Sequence, residues 1–102
     1  MVTEPVFETL AVVGPGLIGS SVLRRVREFP GLARRTIAVD IDPAVCARVQ
    51  ELGIADEVTT DAAEAAAQAD CVLLCVPAGA MGHVAASVLP AMKPGAIQSG
   101  VG

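Results

Sequence analysis

Apolar residues along this chain fall into short continuous runs separated by stretches with helical spacing. The run from Phe7 to Val13 is rich in β-branched residues, too short for a helix, and closed by Gly14. It reads as a central strand buried on both faces. From Leu17 to Phe29, the apolar positions Ile18, Val22, Val26 and Phe29 recur at helical spacing, with Arg24, Arg25, Arg27 and Glu28 on the other side. Pro30-Gly31 ends that helix. A second strand follows at Thr36–Asp40. Asp42 then supplies an N-cap and Pro43 a first helical residue, opening a helix expected to bury Val45, Val49 and Leu52 and to stop at Gly53.

Val58-Thr59-Thr60 is short and polar, as an edge strand would be. Asp61 and Glu64 have the spacing of a capping box, opening an alanine-rich helix. Cys71–Val76 is the next continuous apolar run and reads as another central strand, ended by Pro77. Met81–Met92 reads as a helix with Val84, Val88 and Leu89 inward; Pro90 stops its regular part near Leu89. Lys93-Pro94-Gly95 turns the chain into a last strand, Ala96–Ser99. Strands alternating with helices across short loops imply an α/β fold with a doubly wound parallel sheet, and right-handed crossovers give the strand order 3-2-1-4-5.

Composition narrows this picture. The chain has 102 residues, read as one domain spanning residues 1–102. Hydrophobic residues make up 53% of it, but only Phe7 and Phe29 are aromatic. With a mean hydropathy of +0.61, the core must be assembled from many small contacts. The net charge of −4 argues against nucleic-acid or anionic-membrane partners. Arg24, Arg25, Arg27, Arg34 and Arg35 read as a solvated face, with an anion or partner patch as the alternative.

No stretch approaches the ~20 apolar residues of a membrane span. Met1–Pro5 lacks the order of a signal peptide, so a cytoplasmic location is expected. Cys71 and Cys75, about 13 Å apart along a strand, are too distant for a disulfide. With Cys46 they read as reduced thiols, and no metal site is expected.

The chemistry lies in the turn Gly14-Pro15-Gly16-Leu17-Ile18-Gly19 between the first strand and the first helix. Gly14 permits the tight turn, Gly16 lets backbone approach a diphosphate, and Gly19 lets the helix lie against the sheet. The helix start offers unpaired N–H groups and about half a positive charge to phosphates. Gly19-Ser20-Ser21 lacks the lysine of a P-loop. Asp40, 21 residues beyond Gly19, is placed to accept both hydroxyls of an adenosine ribose. Its charge would repel a 2′-phosphate, and no basic residue follows in Ile41-Asp42-Pro43. NAD is therefore expected over NADP.

Val76-Pro77 is expected beside the first strand at the crevice where strand order reverses. The loop Ala78-Gly79-Ala80-Met81 would form the far wall of the nicotinamide side; alternatively, Pro77 only ends a strand and Met81 only packs. His83 reads as a surface helical residue, because nothing nearby would orient it as a base. Asp42 and Asp61 read as caps, and no catalytic couple can be assembled.

Val12–Ser21, Asp40–Pro43, Leu52–Asp56, Ala69–Pro77 and Met92–Ile97 together resemble the Rossmann-like N-terminal cofactor domain of prephenate and arogenate dehydrogenases. The resemblance runs from about Thr9 to Ile97. It implies NAD(P)-dependent oxidative decarboxylation of prephenate or arogenate in tyrosine biosynthesis. It supports Gly14, Gly16, Gly19, Asp40 and the Val76-Pro77 wall as cofactor residues; Pro15, Leu17, Ile18 and Ile41, in the same segments, are expected to bind the cofactor with them. It supports no catalytic residue, because the family places its catalytic histidine and a helical, dimer-forming C-terminal domain later.

Where the family usually reads Thr-Asp-Val-Gly-Ser, this sequence reads Gln98-Ser99-Gly100-Val101-Gly102. The expectation is a cofactor domain truncated after its fifth strand, inactive alone, self-associating along an uncovered Ile97 edge, and a homodimer only with the missing domain. An NAD-binding or sensing module without chemistry, and an inactive fragment, are the alternatives.

Overall fold

In the computed structural model, which describes residues 7–14, 16–29, 31–76 and 78–100, apolar alternation sorts the strands between two core layers. The strands are β1 (Phe7–Val13), β2 (Ala33–Val39), β3 (Glu57–Thr59), β4 (Cys71–Leu74) and β5 (Ile97–Gly100). All pair in parallel, in the order β3-β2-β1-β4-β5, the order the sequence implies. The helices are α1 (Gly16–Glu28), α2 (Pro43–Leu52), α3 (Ala62–Gln68) and α4 (Ala78–Val88), the last running into a 3-10 turn at Leu89–Ala91.

Successive strand residues point to opposite faces. Leu10, Val12, Ala38 and Cys71 share one layer with Leu23 and Val26 of α1 and Val49 of α2. Ala11, Val13, Ile37, Val39, Val72 and Leu74 share the other with Ala65 and Ala66 of α3 and Val88 of α4.

Local capping chemistry behaves as the residue types dictate. Asp42 Oδ1 accepts from the Ala44 N–H at 2.9 Å. Gly53 closes α2 at φ +65°, donating to Val49 and Gln50 carbonyls. Asp61 Oδ1 accepts from the Glu64 N–H at 3.1 Å, while its own N–H donates to Thr59 Oγ1 rather than completing a capping box through Glu64.

Several expectations are corrected. Phe29 is 58% exposed, Leu52 41% and Leu89 55%, because each sits at or past a helix end where the sheet no longer lies beneath. Leu23 takes the inward position in α1 instead, fully buried. The fourth strand ends at Leu74, leaving Cys75 and Val76 outside it. The expected loop Ala78–Met81 is the first turn of α4.

At the N-terminal end of the sheet, two aspartates tie strands together. Asp70, just before β4, accepts the buried Thr9 N–H on Oδ2 at 2.9 Å, and returns its own N–H to the Thr9 carbonyl at 2.9 Å. Asp56, just before β3, repeats the device on Thr36, accepting its N–H at 2.8 Å. Among the described residues no helix is long and apolar enough to cross a membrane.

Candidate functional site

Register brings the glycine turn and the acid together. Val13 pairs with Val39 on one side and with Leu74 on the other, so Gly14, Asp40 and Cys75 leave three adjacent strands at one level. The Gly14 N–H donates to the Val39 carbonyl at 2.7 Å, and the Cys75 N–H to the Val13 carbonyl at 2.8 Å. Parallel α/β sheets bind ligands at this end, where crossovers leave to opposite sides.

Gly14 adopts φ +74°, and a Cβ there would meet Val76 Cγ1 at 2.6 Å and the Cys75 carbonyl oxygen at 3.0 Å. Both the conformation and the space require glycine. The chain then enters α1 at Gly16, so the unpaired N–H groups of the helix start lie directly after this turn. Gly19 is buried against the fold. The side chains of Leu17 and Ile18 lie outside the described residues, as do Pro15 and Pro77 entirely.

Asp40 is held from three directions. Its N–H donates to the Thr59 carbonyl at 3.2 Å. Its carbonyl accepts from Cys46 Sγ at 3.4 Å. Its Oδ1 accepts from the Asp42 N–H at 2.9 Å, which fixes the carboxylate's direction. A carboxylate has about four acceptor positions, and this bond uses one.

A cleft of about 440 Å³ opens beside Gly14, lined from the sheet by Val13, Val39, Asp40, Ile41 and Val76. Ala62 of α3 and Ala80, His83, Val84 and Ser87 of α4 complete it. Of the residues singled out from sequence, Gly14, Asp40, Ile41 and Val76 meet here. His83 was read as a surface residue; it is exposed but stands on the cleft wall. Only the β4–α4 connection could have signalled that, through its helix beginning at residue 78. A second depression, between Val26 and Asp56, sits at the opposite end of the strands.

The walls are mostly apolar, with Asp40 and His83 the ionisable groups among the described lining residues. Burial pushes the Cys75 thiol upward, so it stays protonated beside the turn and offers no thiolate nucleophile. The arrangement fits a dinucleotide: a turn that requires glycine at residue 14, a helix start for the diphosphate and an oriented carboxylate for the ribose.

The family model for the nucleotide-binding domain of prephenate dehydrogenase matches residues 24–102. The cyclohexadienyl dehydrogenase of Zymomonas mobilis is 43% identical over 90 residues, covering 86% of this chain and 30% of that protein. Synechocystis arogenate dehydrogenase superposes with a TM-score of 0.83 at 26% identity, covering 92% of this chain and 32% of that one. Prephenate dehydrogenase from A. aeolicus, in complex with hydroxyphenyl propionate and NAD+, gives 0.81 at 25% identity, covering 91% and 33%. The chain thus spans about a third of the length of these relatives.

Proposed function

The chain belongs to the prephenate dehydrogenase family, matching its nucleotide-binding domain, and on that footing we propose that it seats NAD over the β1–α1 turn. Gly14, Gly16 and Gly19 shape the turn, and Pro15, Leu17 and Ile18 complete it. The N–H groups at the start of α1 hold the diphosphate. Asp40 accepts the adenosine ribose hydroxyls, and Ile41, Val76 and Pro77 border the cofactor. When bound, NAD supplies the hydride acceptor. The protein's part is to fix the cofactor's position, to exclude water from the apolar cleft and to discriminate against a 2′-phosphate through the Asp40 charge.

The observation that carries this reading is the adjacency of Gly14 and Asp40, locked by the Gly14 N–H bond to the Val39 carbonyl. In the complete enzyme the proposed reaction is oxidative decarboxylation of prephenate or arogenate, in the cytoplasm and as a homodimer. Among the described cleft residues the Ser87 hydroxyl donates to the Val84 carbonyl at 2.8 Å and not to His83, which favours a second reading for the chain by itself: a cofactor-holding module without chemistry.

Calorimetric titration with NAD and NADP tests the first step. Saturable binding of NAD, tighter than NADP, supports it; no binding of either refutes it. Supplying the remaining two-thirds of a relative in trans, and following NADH formation from prephenate, distinguishes a catalytic partner from a bare module.

A further inference from the structure

The cleft has two walls from opposite sides of β1. Ile41, just beyond β2, is 90% exposed, left uncovered by the described residues. Across the cleft, α4 presents Ala80, His83, Val84 and Ser87, spaced three and four residues apart and therefore on one helical face. Sequence reading gave His83 no role beyond a surface position.

We infer that His83 recognises the base of the bound dinucleotide, its imidazole covering one face of the adenine while Ile41 covers the other. The inference rests on the reading of this cleft as the dinucleotide site. Three observations carry it. The cleft floor, Val13, Val39 and Val76, is apolar and suits an uncharged aromatic ring rather than a charged group. Asp40, oriented by the Asp42 N–H at 2.9 Å, sits in the same cleft, so a ribose held there delivers its base between the two walls. Ser87 Oγ donates its proton to the Val84 carbonyl at 2.8 Å. Its remaining lone pairs are acceptors only, complementary to the exocyclic amino group of adenine. His83 supplies the flat face and Ser87 the edge.

Titration with ADP-ribose, NAD and nicotinamide hypoxanthine dinucleotide tests this. The hypoxanthine analogue carries an oxygen where adenine carries its amino group. His83→Ala is expected to weaken ADP-ribose and NAD alike by about five- to twentyfold, the low end of what base–aromatic contacts contribute. His83→Phe restores most of the loss, because the flat face returns without a charge. Ser87→Ala narrows the preference for NAD over the hypoxanthine analogue. His83 is exposed, so an unchanged melting temperature verifies that these variants fold.

If the unsubstituted chain binds ADP-ribose and His83→Ala binds it equally well, the role of His83 is overturned while the dinucleotide site stands. If the unsubstituted chain binds neither NAD nor ADP-ribose, the dinucleotide reading itself fails.

Discussion

Gly14 and Val76 approach so closely that a methyl group on residue 14 would lie 2.6 Å from Val76 Cγ1. The turn out of β1 and the segment after β4 are thus fitted against each other, and that contact forms the floor of the cleft. Gly14→Ala meets two separate penalties. The left-handed conformation costs about 1–2 kcal/mol for an L residue, and the overpacking costs about 1–3 kcal/mol. Adding Val76→Ala removes only the Val76 part of the second, since the Cys75 carbonyl oxygen at 3.0 Å is backbone and stays in place. Urea denaturation should therefore show Gly14→Ala strongly destabilised and the double variant partly recovered. A double variant no better than the single one would mean that the conformation and the backbone contact with Cys75, not the Val76 side chain, are responsible.

Asp40→Ser should compress the ratio of NAD to NADP affinity. A charge-assisted hydrogen bond contributes about 1.5–3 kcal/mol, so NAD binding falls at least tenfold while NADP loses a repulsive neighbour. Serine accepts the Asp42 N–H more weakly than the carboxylate does, so part of the loss reflects a looser turn. Titration of both cofactors against both proteins is the check, and an unchanged ratio removes Asp40 from the ribose.

Asp70 should make the fold sensitive to acid. The Lys93 ammonium 2.8 Å away and the Thr9 N–H hold its carboxyl below the ordinary 3.8, against a smaller upward push from burial. A lowered folded value means that the unfolded chain binds more protons in this range. The stabilisation is therefore present above the unfolded value and lost as pH falls through the folded one. Melting temperature followed from about pH 5 downward should drop more steeply for the unsubstituted chain than for Asp70→Asn, in the window below about pH 4. Parallel curves would contradict this.

Neighbouring acids at the start of β3 should differ in worth. Asp56 accepts the Thr36 N–H and hydroxyl, and Thr36 is buried. Asp56→Ala leaves that N–H unpaired, at about 1–3 kcal/mol. Glu57 pairs with Arg35, but its side chain is 51% exposed, and such pairs contribute about 0–1 kcal/mol. Glu57→Gln should thus be nearly silent in chemical denaturation. The reverse ranking would show that the Arg35 pair, which also engages Gln68, anchors the edge strand.

Signals carried by a few consecutive residues were legible in the sequence. β1 has the bounds that its apolar run implies, and Asp42-Pro43 and Gly53 delimit α2 because capping is a local transaction. The crossover rule then orders the sheet. Contacts that depend on register across distant segments were not legible: the Thr9–Asp70 and Thr36–Asp56 ties join residues 61 and 20 positions apart.

Periodicity likewise says which helical face turns inward but not where the sheet beneath it stops, hence the exposure of Phe29, Leu52 and Leu89. For the site, glycine spacing and Asp40 were readable because each follows a strand end directly. The place of His83 depended on α4 starting right after Pro77, a position compatible with proline opening a helix as well as ending a strand.

The most direct measurement is a crystal structure of the chain grown with saturating NAD. The diphosphate should lie within hydrogen-bonding distance of the N–H groups that open α1, with the Asp40 carboxylate accepting from the adenosine ribose. A cofactor bound elsewhere, or density over the β1–α1 turn with Asp40 facing only solvent, would contradict it.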